Sequence, residues 1–271
     1  MLGSLVIIYP TPHEGGELVL RHKGHEWKFN ANSLTAPQSS PSLAYVAFYS
    51  DLEHEVLKVT SGHRVTVTYN LYLVDPAPNL EAPVVTPSPE GVSNLQATLQ
   101  GLLKNKEFLP DGGTLGFGLA HLYPISFETK LEKMIAHLKG ADADVYRACR
   151  ELKLKLSLKM IYEDSEEWDI GIMLDEVTEA YYDPYNERYE SALVENFGGV
   201  PVNLTEGVNL DESRWVRGGA EPKRITWISP PDCKRNKLQD ITVALGNHIS
   251  TGFIYSSPSL TVDIPAADDR K

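Results

Sequence analysis

SDLEHEVLKVTSGHRVTVTYN, residues Ser50–Asn70, decides how the chain begins to fold. It places His54 on a turn and Gly62 at a bend. A strand follows whose alternate residues Arg64, Thr66 and Thr68 point the same way. An arginine on an inward strand position is costly unless an anion, or a core Asp or Glu, satisfies it. A guanidinium forks onto a carboxylate, with a hydroxyl beside it to assist, and a neutral imidazole is a metal ligand. The stretch therefore points to a site that binds a metal and a dicarboxylate together. A facial triad needs two more ligands, and residues 1–53 do not evidently supply them.

Working outward, residues 4–75 read as short strands separated by Gly/Pro turns. Leu5–Tyr9 is a strand and residues 10–16 a turn. Glu17–His22 is a strand in which Leu18 and Leu20 alternate against Glu17 and Val19. Glu26–Phe29 is another strand, residues 30–42 a polar loop, and Leu43–Tyr49 is apolar enough for a central strand. Val65–Val74 completes the set. This pattern predicts a sandwich or jelly roll.

Residues 76–92 are proline-rich and read as a linker. Residues 93–271 then read as an α+β region. Leu95, Leu99, Leu102 and Leu103 share a helix face, with Ser93 or Asn94 as cap. Gly113–Leu119 is a glycine-rich strand. A helix from Ser126 is expected to end at Gly140, and a shorter one runs from Asp142 or Asp144 to about Leu152. Leu154–Met160, Ile225–Ser229 and Tyr255–Ile264 are strands, and residues 175–221 are mostly irregular with short pieces.

At 271 residues the chain accommodates one large domain or two modest ones. Its formal net charge of −12, with no basic run, argues against nucleic acid as a partner. Cys149 and Cys233 are the only cysteines and lack metal-ligand spacing, so reduced thiols and an intracellular setting, cytoplasmic or nuclear, are expected. No apolar run approaches the ~20 residues that span a bilayer, so no membrane partner is expected.

The stretch GGELVLRH…LAYVAFYSDLEHEVLKVTSGHRVTVTYNL resembles the Fe(II)/2-oxoglutarate dioxygenases of the prolyl 4-hydroxylase type, and a fungal branch in particular. The shared features are GG-x-L, a strand ending in F-x-S-D, H-E-V, and G-x-R entering a strand, all within residues 4–74. The resemblance implies a partial double-stranded β-helix, a cupin-like jelly roll, over residues 1–75. It implies that His54 is the distal iron ligand and that Arg64 binds the far carboxylate of 2-oxoglutarate, with Thr66 as helper and Tyr9 near the co-substrate. The implied cofactors are Fe(II) and 2-oxoglutarate, and the implied activity is hydroxylation of a protein or small-molecule substrate.

The family's other two ligands form an H-x-D pair shortly before the strand equivalent to Leu5–Tyr9. No H-x-D precedes His54 here, and its place would fall before Met1. Either the chain is truncated, the expectation favoured by a start inside a core strand, or it has lost catalysis and keeps the scaffold as a protein-binding module. A sandwich lacking its first strands leaves an open edge and core face, which predicts weak stability or poor solubility. His13 with Glu17 is the nearest substitute pair, but reads as a turn histidine and a solvent-facing glutamate. His121, His137 and His248 are isolated, and the acidic run from Glu163 to Asp169 lacks EF-hand spacing.

Overall fold

A computed structural model describes residues 2–22, 24–31, 42–72, 89–163, 169–178, 189–212, 219–232, 236–245 and 248–270. The protein is mainly β. Its contacts divide it into two units, Met1–Leu80 with Leu122–Pro124, and Glu81–His121 with Ile125–Lys271. The expected linker lies largely outside the described residues.

In the first unit, β1 (Gly3–Ile8) lies between β5 (Ala44–Tyr49) and β8 (Thr66–Leu71), antiparallel to both. Val6 faces Val46 and Thr68, and Ile8 faces Ala44 and Thr66. Residues directly opposite share a face, so Val6, Ile8, Ala44, Val46 and Phe48 turn one way, together with the start of β8. A second three-stranded sheet sets β3 (Leu18–His22) between β4 (His25–Phe29) and β6 (Glu53–Val56). Leu18 and Leu20 join Val6, Ile8, Val46 and Phe48 in one apolar cluster. A short ribbon pairs β2 (His13–Gly15) with β7 (Val59–Gly62).

Several expectations for this unit need correction. Among the described strands β5 is an edge, and β1 holds the centre. Burial explains it, because β5 covers only Ala44, Val46 and Phe48 and leaves Tyr45 and Ala47 outside. In β3, Val19 is as buried as its leucine neighbours, so that strand is covered on both faces. His54 belongs to strand β6, not to a turn. His13 lies in β2 and is buried, its Nδ1 2.7 Å from the Thr11 carbonyl oxygen, so it is not a turn residue. The other face of β1, β5 and β8 carries Leu5, Ile7, Tyr45, Ala47, Val67 and Tyr69, of which Tyr45 and Tyr69 are well exposed. Asp51 of the F-x-S-D segment accepts a bond from the Leu122 amide at 3.4 Å, inside the same unit.

The second unit is built on a mixed sheet. β9 (Gly113–Gly118), β10 (Lys155–Glu163), β11 (Ile170–Leu174), β12 (Val200–Asn203), β13 (Ile225–Ser229) and β15 (His248–Ile264) run in the order β12-β11-β10-β15-β9-β13. β14 (Asn236–Leu245) pairs with β15, and β13 lies parallel to β9. The glycines of β9 admit a close neighbour: a Cβ on Gly116 would stand 2.3 Å from Cε3 of Trp227. The indole is pinned there, because Nε1 donates to the Asn203 carbonyl at 2.6 Å. The buried Asn203 amide in turn bonds Ile225 on both its N–H and its C=O.

Helix α1 (Pro89–Lys104) starts a turn before the expected cap, which proline permits because first-turn amides have no intrahelical acceptor. Leu131, Met134 and Leu138 are buried, but where one helix from Ser126 was expected only α2 (Leu131–Met134) and a 3₁₀ turn form. Gly140 does not end that segment; it opens α3 (Gly140–Glu151) at φ +53°. The Asp142 carboxylate accepts from the Ala120 and His121 amides, at 2.8 and 3.1 Å. The short pieces expected within residues 175–221 include α4 (Tyr189–Glu195) and β12.

Candidate functional site

Strand β6 sorts its side chains by parity. His54 sits opposite Leu20, a core residue, while Glu53 and Glu55 sit opposite Arg21 and Val19 on the other face. There Arg21 gathers three carboxylates, Glu26 at 2.8 Å, Glu55 at 3.1 Å and Glu53 at 3.5 Å. The hydrogen bond to Glu26, then that to Glu55, raises the Arg21 pKa, and the bond from Arg21 lowers that of Glu26. These groups are exposed, so the cluster contributes little net stability. The pairing of β6 with β3 sets His54 on the Leu20 side, with its ring exposed.

The His54 ring lies 5.1 Å from the Phe48 ring, centroid to centroid, tilted by 49°. Its Nδ1 is 3.1 Å from the Leu52 carbonyl oxygen. With Nδ1–H donating to that carbonyl, Nε2 carries the lone pair, the tautomer a metal-binding histidine uses.

Arg64 is placed by backbone clamps on both sides. The His63 amide donates to the Pro12 carbonyl at 3.2 Å, and the Val65 carbonyl accepts from the Tyr9 amide at 3.0 Å. Gly62 makes the first clamp possible. At φ +72° it brings β7 so close to β2 that a Cβ would fall 2.2 Å from the Pro12 oxygen. Thr66 follows at the alternate position, opposite core residue Ile8. The Arg64 side chain is half-buried, and its Nε and Nη2 are shielded from solvent with no hydrogen-bond partner among the described residues. Burial pushes its pKa below the ordinary arginine value. A shielded guanidinium with idle donors is prepared for an anion.

The structure thus sets His54 opposite core residue Leu20, though its own side chain is exposed, and Thr66 opposite core residue Ile8; Arg64 lies two residues ahead of β8, outside the strand expected to carry it. Tyr9 is not brought to that side. It lies one residue beyond β1 with an exposed side chain, and the alternation of β1 groups it with Ile7 and Val67. Glu17 accepts a bond from the Asn30 amide group at 3.4 Å. Sequence reasoning missed Gly16, whose Cβ would meet the Arg64 stem. The local signal was the Gly15-Gly16 pair, both with φ +71°.

A bound iron is not supported by the donor set. His54 offers one imidazole, and among the described residues no three His, Cys, Asp or Glu side chains gather as ligands. The dicarboxylate end fits better, since the shielded Arg64 donors lie two residues ahead of the Thr66 hydroxyl. Two titratable groups elsewhere are buried in the packing of the second unit. Cys149 is fully buried, which pushes its thiol up to about 11, and burial pushes the Tyr162 hydroxyl up to about 12. No described helix is long and apolar enough to cross a membrane.

No family model matches the chain, and neither does any curated protein or solved structure with which it was compared.

Proposed function

We propose that residues 1–75 form a jelly roll of the Fe(II)/2-oxoglutarate dioxygenase type, resembling prolyl 4-hydroxylases, and that this chain uses it to capture the far carboxylate of 2-oxoglutarate. The observation that carries the reading is the Arg64 guanidinium, with Nε and Nη2 shielded and idle. Thr66, two residues on at the start of β8, supplies a hydroxyl to the same carboxylate. In a complete enzyme of this type iron would supply the oxidising chemistry. His54 alone does not make such a site, so the activity assigned to this chain is binding of the dicarboxylate without turnover. The hydroxylation substrate of a complete site would be a protein or small molecule.

The test is calorimetric titration of the full chain with 2-oxoglutarate in the presence of chelator. Binding is expected, and Arg64→Ala should weaken it by about tenfold or more, the value of a charge-assisted contact. Glutarate should compete as well as 2-oxoglutarate, because without metal only the far carboxylate is read. Succinate formation with added Fe(II), abolished by His54→Ala, would show that an iron site exists after all.

A second reading, a protein-binding module on the same scaffold, rests on the exposed outer face of β1, β5 and β8. Tyr45 and Tyr69 stand out there at 73% and 53% exposure. Absence of any dicarboxylate binding would favour it.

A further inference from the structure

We infer that Gly16 is a positioning residue for Arg64, holding the guanidinium in its shielded place by what it lacks. The inference rests on the dicarboxylate reading above for its functional meaning, but the contact stands on geometry alone. Gly16 links β2 to β3 at φ +71°, and its amide donates to the Lys58 carbonyl at 3.1 Å. A Cβ built there would lie 2.8 Å from Arg64 Cδ, 2.9 Å from Val59 Cγ2 and 3.7 Å from Arg64 Nε. The arginine stem therefore runs through a notch walled by Val59 and floored by a bare α-carbon. The clamps at His63 and Val65 fix only the backbone of Arg64; the notch fixes the side chain.

An added methyl cannot share that space. Of the two atoms it meets first, one belongs to a long, flexible side chain, and that is the one that yields. The stem is displaced, Nε leaves its shielded position, and the fork no longer presents two donors in one direction. Gly16 is thus a determinant of where the carboxylate is read, and it touches no ligand itself.

Gly24 provides the control. It too has a positive φ, +82°, but a Cβ there meets nothing within 4 Å. Gly16→Ala and Gly24→Ala therefore impose the same kind of left-handed strain, while only the first invades the Arg64 notch. Val59→Ala widens the notch from its other wall without any backbone strain. Two readouts separate the ideas: 2-oxoglutarate affinity by calorimetry, and the hydrogen-exchange rate of the Arg64 Nε–H, followed by NMR with no ligand present.

Expected is a loss of affinity of about tenfold or more in Gly16→Ala, faster Nε–H exchange in Gly16→Ala and Val59→Ala, and no change in either readout for Gly24→Ala. Should Gly16→Ala fail to fold, Val59→Ala decides by exchange alone. Equal losses in both glycine variants would assign the effect to backbone strain and overturn the inference, as would unchanged exchange in Gly16→Ala and Val59→Ala. If the unaltered chain binds no 2-oxoglutarate yet exchange accelerates at the notch, the dicarboxylate reading falls and the positioning role stands.

Discussion

Replacing Arg64 by methionine should stabilise the protein, the reverse of what loss of a structural arginine does. Two donors, Nε and Nη2, are shielded with no acceptor among the described residues. A buried donor left unsatisfied costs about 1–3 kcal/mol, so the pair at face value costs about 2–6 kcal/mol. The residue is only half-buried, and much of its charge remains solvated, which reduces the net to about 1–2 kcal/mol. Methionine keeps an unbranched stem along Gly16 and Val59 and brings no donor. The measurement is native-state hydrogen exchange at the amides of β1, which bond to β5 and β8 and report the first unit by itself. Protection should rise about fivefold or more in Arg64→Met. Saturating 2-oxoglutarate should reverse the order. At a hundred times its dissociation constant a ligand adds about 2.7 kcal/mol to the binding form and nothing to the variant. A fivefold fall in protection in ligand-free Arg64→Met would refute the reasoning, because it would mean that Arg64 holds the fold together.

Two further outcomes test the second unit. Gly116→Ala forces a methyl to within 2.3 Å of an indole that cannot retreat, since its Nε1 is bonded to Asn203; a loss of about 1–3 kcal/mol is expected in urea unfolding, and an unchanged midpoint would contradict the packing described. Asp263 accepts from Thr114 and Lys223, each at 3.1 Å, with Lys155 at 3.5 Å; burial raises its pKa, but the bond and charge of Lys223, with Thr114 and Lys155, outweigh this and leave it below the ordinary value. Its contribution is therefore present above about pH 4 and lost as pH falls through the lower folded-state value, so Asp263→Asn should be less stable than the parent at pH 7, by up to about 1 kcal/mol, and approach it near pH 2.

The first unit was legible where burial alternates. β1 and β5 show the period-two pattern, and their strands were predicted within a few residues of their ends; β8 was predicted too, although it is exposed at all but its two end residues. β2 and β7 were not, because three- and four-residue strands ending in glycine carry too few side chains for a period to show. His54 was misplaced because what makes Glu53–Val56 a strand is its non-local backbone pairing with β3, and its own residues, all exposed, show no alternation. β11 escaped for the opposite reason: all five residues are buried, leaving no alternation to find. Arg64 and Thr66 were singled out by alternate spacing on one strand, but the strand begins only at Thr66 and Arg64 lies ahead of it. The notch under Arg64 was not, because a glycine's lack of a side chain says nothing about what lies above it until the chain has folded.

The division of β6 into a histidine beside Leu20 and Phe48 and glutamates around Arg21 also sets which genetic changes a lineage can accept. Substitutions at Glu53 or Glu55 trim one exposed ion pair and leave His54 where it was. A single-codon insertion or deletion between Leu52 and Glu53 behaves differently, for it moves every residue of the strand to the other face, sending a carboxylate toward Phe48 and the imidazole out to Arg21. Two codons gained or lost together keep the faces. Descendants of this gene should therefore vary in length at that junction by even steps.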